Sequence, residues 1–255
     1  MTERAIDSFH AGEVERYKRG EFPEILKRIE ASDISKEKMV EVISTRYQVA
    51  HFFEDMLRRI IRGVEASELA TNVKAALIHS VQVNLNEELG EVAEYGGPHR
   101  EGREVLLNAL GVDYETWKKD LGIYENLGKL NPIARELVES LKRIIDTDPI
   151  AAVAMLYSYE DKISLDGVGD YHKLLAGLEK LYPELAKADS KYVEGDALWH
   201  IYSHADHDEH HAALAKSGLV ESVSTEADLS KLQTGMTRAK IALDTFWNNL
   251  EEGIK

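Results

Sequence analysis

Residues 192–216 read YVEGDALWHIYSHADHDEHHAALAK. Five of the chain's ten histidines lie between His200 and His211, so imidazole is concentrated in this one segment. On a helix, at about 100° per residue, Val193, Ala197, His200, His204, Asp208, His211 and Ala215 follow in steps of three or four and share a face. His207 falls near that face, while Asp206, Glu209 and His210 point elsewhere. The stripe is apolar at both ends and carries imidazole and carboxylate in the middle. Burying such groups costs several kcal/mol unless something pairs them. A metal ion does so, and His with Asp at i, i+4 and i, i+3 is ligand spacing on a helix. A solvated, His-rich helix end is the competing reading.

Outward from this segment, helix signals dominate. Strand-like alternation is scarce and only five prolines occur. Residues 1–20 are expected to be a loosely held arm with a short helix. Pro23 opens a helix to about Ile29, and Ser35 caps a long one over 36–64. His51 and Glu54 sit three apart on it, a spacing more typical of a surface. A helix is expected over 67–91, and there Leu77, Val81, Asn84 and Glu88 share a face. Gly96-Gly97-Pro98 breaks the chain before His99 and a short helix over 100–110, and another short helix covers 114–121. Pro132 opens a helix to Ile145, in keeping with proline's place in a first turn. Asp148-Pro149 starts the next, whose face holds Val153, Leu156, Tyr157 and Glu160. Further helices cover 169–181, a short stretch from Pro183, and 228–252. The expected fold is all-α: a single domain over 1–255 of about seven long helices with extra short ones.

At 44% hydrophobic and 30% charged, the chain can bury a sizeable core. It has no cysteine, which excludes disulfides, iron–sulfur ligation and a Cys nucleophile. A formal net charge of −15 argues against nucleic-acid and anionic-membrane partners. The charged N-terminal stretch lacks the apolar run of a signal peptide, and no segment has membrane-spanning length. A cytoplasmic location is expected.

Glu88, Glu160 and Asp208 thus come from three separate helices, each on an otherwise apolar face. Two ferrous ions carry four positive charges, of which three carboxylates offset three. Three carboxylates with three neutral imidazoles suit a dinuclear iron or manganese site better than a structural zinc. The helix-bundle signature Glu-x-x-His is missing, because neither Glu88 nor Glu160 has a His three residues later.

The ordered set Asn84-Leu85-Asn86-Glu87-Glu88-Leu89-Gly90, His99, Tyr159-Glu160 and His204-x3-Asp208-x2-His211 resembles the heme-oxygenase-like di-iron oxidases and oxygenases. That family includes the CADD-like p-aminobenzoate synthases and lies in the TenA/PqqC-like superfamily. The resemblance spans about residues 70–215. It implies a seven-helix heme-oxygenase-like bundle with Glu88, His99, Glu160, His204, Asp208 and His211 as metal ligands. Glu87 is the alternative to Glu88, and Glu87, His200, His207 and Tyr157 are expected around the ligands. It further implies two Fe(II) ions, with manganese as a substitute, O2 as co-substrate, and an external reductant delivered by an electron donor. The implied activity is oxidative C–C cleavage, decarboxylation, desaturation or N-oxygenation of a small amino acid or carboxylic (fatty) acid, in a chain that could pair as a homodimer.

Three alternatives remain on the same fold. A self-sacrificing p-aminobenzoate synthase would need a Tyr and a Lys near Glu160; Tyr17, Tyr47, Lys162 and Lys173 are the candidates, and their pattern does not match cleanly. A metal-free PqqC- or TenA-like protein would leave the buried carboxylates unexplained. A binding module would keep the site without using it.

Overall fold

Ser35, Asp113, Asn131 and Asp148 each stand just before a helix and accept a hydrogen bond from its first turn. Asp148 does this twice, from the Ile150 and Ala151 amides at 2.9 and 3.4 Å. The computed structural model describes residues 1–91, 98–188 and 191–252, without the side chains of Asp206 and His207. Twelve α-helices run through these residues: α1 (Thr2–Lys18), α2 (Glu24–Ala31), α3 (Lys36–Ala50), α4 (Phe53–Ala66), α5 (Thr71–Glu88), α6 (His99–Ala109), α7 (Tyr114–Asp120), α8 (Pro132–Ile145), α9 (Pro149–Ser164), α10 (Asp170–Leu181), α11 (Trp199–Ser222) and α12 (Glu226–Glu252). No β-strand occurs among the described residues, and no helix there is long and apolar enough to cross a membrane.

α9 is the centre. Every residue from Ile150 to Ser164 is buried, as expected of a helix apolar nearly all round. It packs on α11, α12, α8, α10 and α4. The single apolar face expected for it is therefore an understatement. Gly235 lets α12 cross α9 in near backbone contact, since a Cβ there would meet the Ala151 carbonyl oxygen at 2.3 Å.

Three expectations are corrected. The helix over 36–64 is two helices. Phe52 amide bonds the Val49 carbonyl in a tighter turn, and the bend buries both Phe52 and Phe53. The His-rich helix starts at Trp199, so Val193, 62% exposed, and Ala197 lie before it rather than on its buried face. Residues 1–20 form a long helix whose Ile6, Val14 and Tyr17 are buried. Their charges read as solvated because partners far along the chain are invisible locally. Arg16 bonds Glu13 and Asp244, and Asp244 also pairs with the buried Lys162.

Asp170 ties this helix to the body. It accepts from the Tyr17 hydroxyl and from Trp247 Nε1, the latter at 2.6 Å. Tyr17→Phe leaves a buried carboxylate oxygen without a donor. We expect a loss of about 1–3 kcal/mol, read as a lower urea midpoint with unchanged slope. An unchanged midpoint would show that α1 contributes nothing through this bond.

Candidate metal centre

α5, α6, α9 and α11 bring the site together, and helical periodicity sets each contribution. On α11, His204 Nδ1 lies 2.9 and 3.0 Å from the two Asp208 oxygens, the i, i+4 contact anticipated from spacing. His211, three residues further on, places Nδ1 3.4 Å from Asp208 Oδ1. α9 supplies Glu160, whose Oε1 accepts from Asn84 Nδ2 of α5 at 2.8 Å. α5 also supplies Glu87 and Glu88, and α6 opens on His99, whose Nδ1 is 3.0 Å from Glu88 Oε1.

These side chains fall into two adjoining groups of three. Donor atoms of Glu160, Asp208 and His211 lie within 4.8 Å of one another, and so do those of His99, His200 and His204. The His204–Asp208 contact joins the groups. All six residues are buried. The two glutamates divide between the groups: Glu88 binds His99, and Glu87 bonds His211 Nε2. Both carboxylates therefore contact imidazoles of the centre, Glu88 as expected and its alternative Glu87 as well. Consecutive helix positions differ by 100°, and a site flanked by α6 and α11 receives both.

His200 stands closer to the centre than its expected supporting place. Its Nδ1 is 3.0 Å from the Tyr47 hydroxyl, its Nε2 is buried without a partner, and its ring lies 4.7 Å from that of His204. The signal was present in the sequence, since His200 precedes His204 by one turn. Tyr157 is displaced: its neighbours are Asp161, Asp7 and Asp166 rather than the ligand cluster. Tyr159 lines the central cavity instead. The His207 side chain, and Gly96 and Gly97, lie outside the described residues.

The electrostatics are those of a site short of positive charge. Burial, then the nearby Asp208 carboxylate, pushes Glu160 well above the usual carboxylate range. Burial also acts on Asp208 and Glu88, but the imidazoles outweigh it. His204 and His211 hold Asp208 low, and His99 and His204 bring Glu88 down to about 2. Burial lowers His200 well below its ordinary value, with His204 adding to the effect. Burial opposes protonation of His211 too, yet Asp208 and Glu87 on either side raise it well above the usual value. Glu87 Oε1 also lacks a hydrogen-bond partner, and His211 Nδ1 has only the long 3.4 Å contact with Asp208. Four buried carboxylates, clustered imidazoles and unpartnered donor atoms fit divalent cations, which would satisfy them all at once.

A narrow cavity, about 10 Å³ of free volume, abuts the centre between Arg46, Phe53, Glu88, Tyr159, Glu160 and His204. It admits a ligand only when the side chains lining it move. A larger groove of about 640 Å³ between α8 and α12 lies away from it, and no candidate metal-ligating group of three belongs to that groove.

The sequence matches no protein-family model and no curated protein. Its structure is similar to that of a CADD-like protein of unknown function from Nostoc punctiforme, with a TM-score of 0.70 and 12% identity over 98% of each chain. A second crystal structure of a CADD-like protein from that organism matches at 0.64, with 14% identity over 99% of this chain and 94% of the other. A TenA homolog from Pseudomonas syringae matches at 0.67, with 12% identity over 98% of this chain and 92% of that one. At such identities the likeness establishes the fold. The chain has the all-α architecture of these CADD-like and TenA-homolog structures, the fold that the sequence resemblance implied.

Proposed function

We propose that this protein is an O2-dependent non-heme di-iron oxidoreductase acting on a small amino acid or carboxylic acid. The observation that carries the reading is the pair of adjoining buried groups, Glu160–Asp208–His211 and His99–His200–His204, with Glu87 and Glu88 between them and the protein around them. Mixed oxygen and nitrogen donors suit iron, with manganese as the substitute. Bound there, ferrous ions would supply the electrons and open coordination positions that O2 chemistry needs.

The chain's own residues have definite tasks on this reading. Asn84 orients Glu160, Tyr47 fixes the ring of His200, and Glu87 holds His211 by its Nε2. Phe53, stacked on Tyr159 with ring centroids 5.2 Å apart, closes the cavity against water. Such chemistry would call for an external electron donor as a partner. The setting is the cytoplasm, with neither nucleic acid nor membrane as partner, and with a homodimer as the candidate assembly.

Self-sacrificing p-aminobenzoate synthesis is disfavoured by where its candidate lysines sit and by Tyr17, although Tyr47 does touch His200 at the centre. Lys162 is ion-paired to Asp244, Lys173 pairs with Glu30 at 2.7 Å, and Tyr17 is committed to Asp170. A metal-free or purely binding role leaves the unpartnered donor atoms of Glu87 and His200 without a purpose.

Anaerobic Fe(II) titration followed by exposure to air tests the reading. Expected are two ions bound per chain and O2 uptake accelerated by a member of a panel of amino acids and short-chain acids. A correctly folded protein that takes up no iron would end it.

A further inference from the structure

Arg46 lies on α3 inside the protein, 2% exposed. Its guanidinium carbon sits 5.2 Å from the ring centroids of both Tyr159 and Tyr171. Aromatic faces hold a guanidinium in place but do not neutralise it. Burial, the largest influence on each, raises both phenols, Tyr171 to about 12, so neither supplies a negative charge. Tyr159 and the Asp170 carboxylate both act favourably on the guanidinium, but its Nη1 has no hydrogen-bond partner and no ion pair to Arg46 forms among the described residues. A buried charge left like this is costly unless something completes it.

The position says what completes it. Arg46 lines the same narrow cavity as Glu88, Glu160 and His204. The four carboxylates Glu87, Glu88, Glu160 and Asp208 would balance two divalent ions, which leaves both Arg46 and Arg103, the latter 3.7 Å from Glu88, as cations in excess. The way in has the same sign. Glu88 and Arg103 also line an outer pocket of about 240 Å³ that carries Arg100, Lys118 and His51, together with Glu54, which is paired to Arg58. Arg100 and Lys118 form no ion pair among the described residues. A cationic entrance on a chain of net charge −15 is a local feature that favours anions over neutral molecules.

We infer that Arg46, held between Tyr159 and Tyr171, is the anchor for the carboxylate of the substrate, which reaches it past Arg100, Arg103 and Lys118. A guanidinium fork takes a carboxylate through two parallel N–H···O bonds. A short acid held there has its carbon chain directed along the cavity toward Glu160 and His204. The inference deepens the proposed function and depends on it for the word substrate, but the anchor can be tested without metal.

The test uses 13C-carbonyl-labelled propionate and its neutral isostere propionamide, titrated into the metal-free full chain and followed by line broadening. Iron uptake by the same preparation is measured separately. Propionate should bind at least tenfold more tightly than propionamide. Arg46→Gln should erase that preference, and Arg46→Lys, which keeps the charge but loses the fork, should retain part of it. Should Arg46→Gln fail to fold by circular dichroism, the Arg46→Lys comparison decides, an undiminished preference counting against the anchor. Equal binding of acid and amide by the unaltered protein overturns the proposal and leaves Arg46 a structural residue. Carboxylate preference without iron uptake would sustain the anchor and sink the metal reading. Iron uptake without the preference would do the reverse.

Discussion

Asp208→Ala should abolish the stabilisation that Fe(II) confers. Asp208 is the one carboxylate in contact with two imidazoles of its own helix, 2.9 Å from His204 and 3.4 Å from His211. It also shares a group of donor atoms with Glu160. Loss of a mere outer partner weakens metal sites by roughly 10–100-fold, so loss of this central carboxylate should exceed about 100-fold. Ligand at a thousandfold excess over its Kd stabilises a fold by about 4 kcal/mol, and the variant should lose that gain. Without metal the change is smaller, because two effects oppose each other. His204 and His211 lose a partner, while Glu160 is relieved of a neighbouring negative charge. Thermal melts with and without anaerobic Fe(II) read both. A variant whose melting temperature still climbs with iron, as the parent's does, would show that the ligands are other residues.

Gly102→Leu has the second largest expected effect, and it acts without touching a donor atom. A Cβ on Gly102 would lie 2.8 Å from His200 Cβ and 3.0 Å from two ring carbons of Trp199. Those atoms belong to the first turn of α11 and have nowhere to retreat, since His200 is held by Tyr47. α6 must move outward, carrying His99 away from a ring 4.6 Å distant on His204. Overpacking of this kind costs about 1–3 kcal/mol. The metal effect should be larger, at least about tenfold in Fe(II) affinity. Gly102→Ala, the smaller intrusion, should fall between. Parent-like iron binding by the leucine variant would mean that His99 is dispensable to the centre.

How much of this was legible before folding depended on the range of the interaction. Periodicity within one helix placed His204, Asp208 and His211 together, and the hydrogen bonds along α11 lie where that spacing put them. The same reasoning identified an all-α fold, the N-cap at Ser35, a helix starting at Asp148-Pro149, and the buried face carrying Glu160. It failed wherever the answer lay on another helix. α1 reads locally as an arm because its partners, Asp170, Asp244 and Lys240, are more than 150 residues away in the chain. Tyr157, expected near the ligands, lies beside Asp161 instead for a related reason. α9 is buried on all sides, so its own pattern could not say which side faces the centre.

The sequence alone therefore determined which residues within α11 share a face and where capped helices such as α3 and α9 begin, because these follow from 3.6 residues per turn and from local hydrogen bonds. Only the tertiary structure decided that Glu87 and Glu88 both reach buried imidazoles, that His200 joins His99 and His204, and that Arg46 stands beside them with its Nη1 unpartnered. Those outcomes rest on how closely helices approach, and that is set by contacts such as Gly102 on Trp199 and Gly235 on Ala151. Distances between elements come from side-chain volumes meeting across the core, and no single segment contains them.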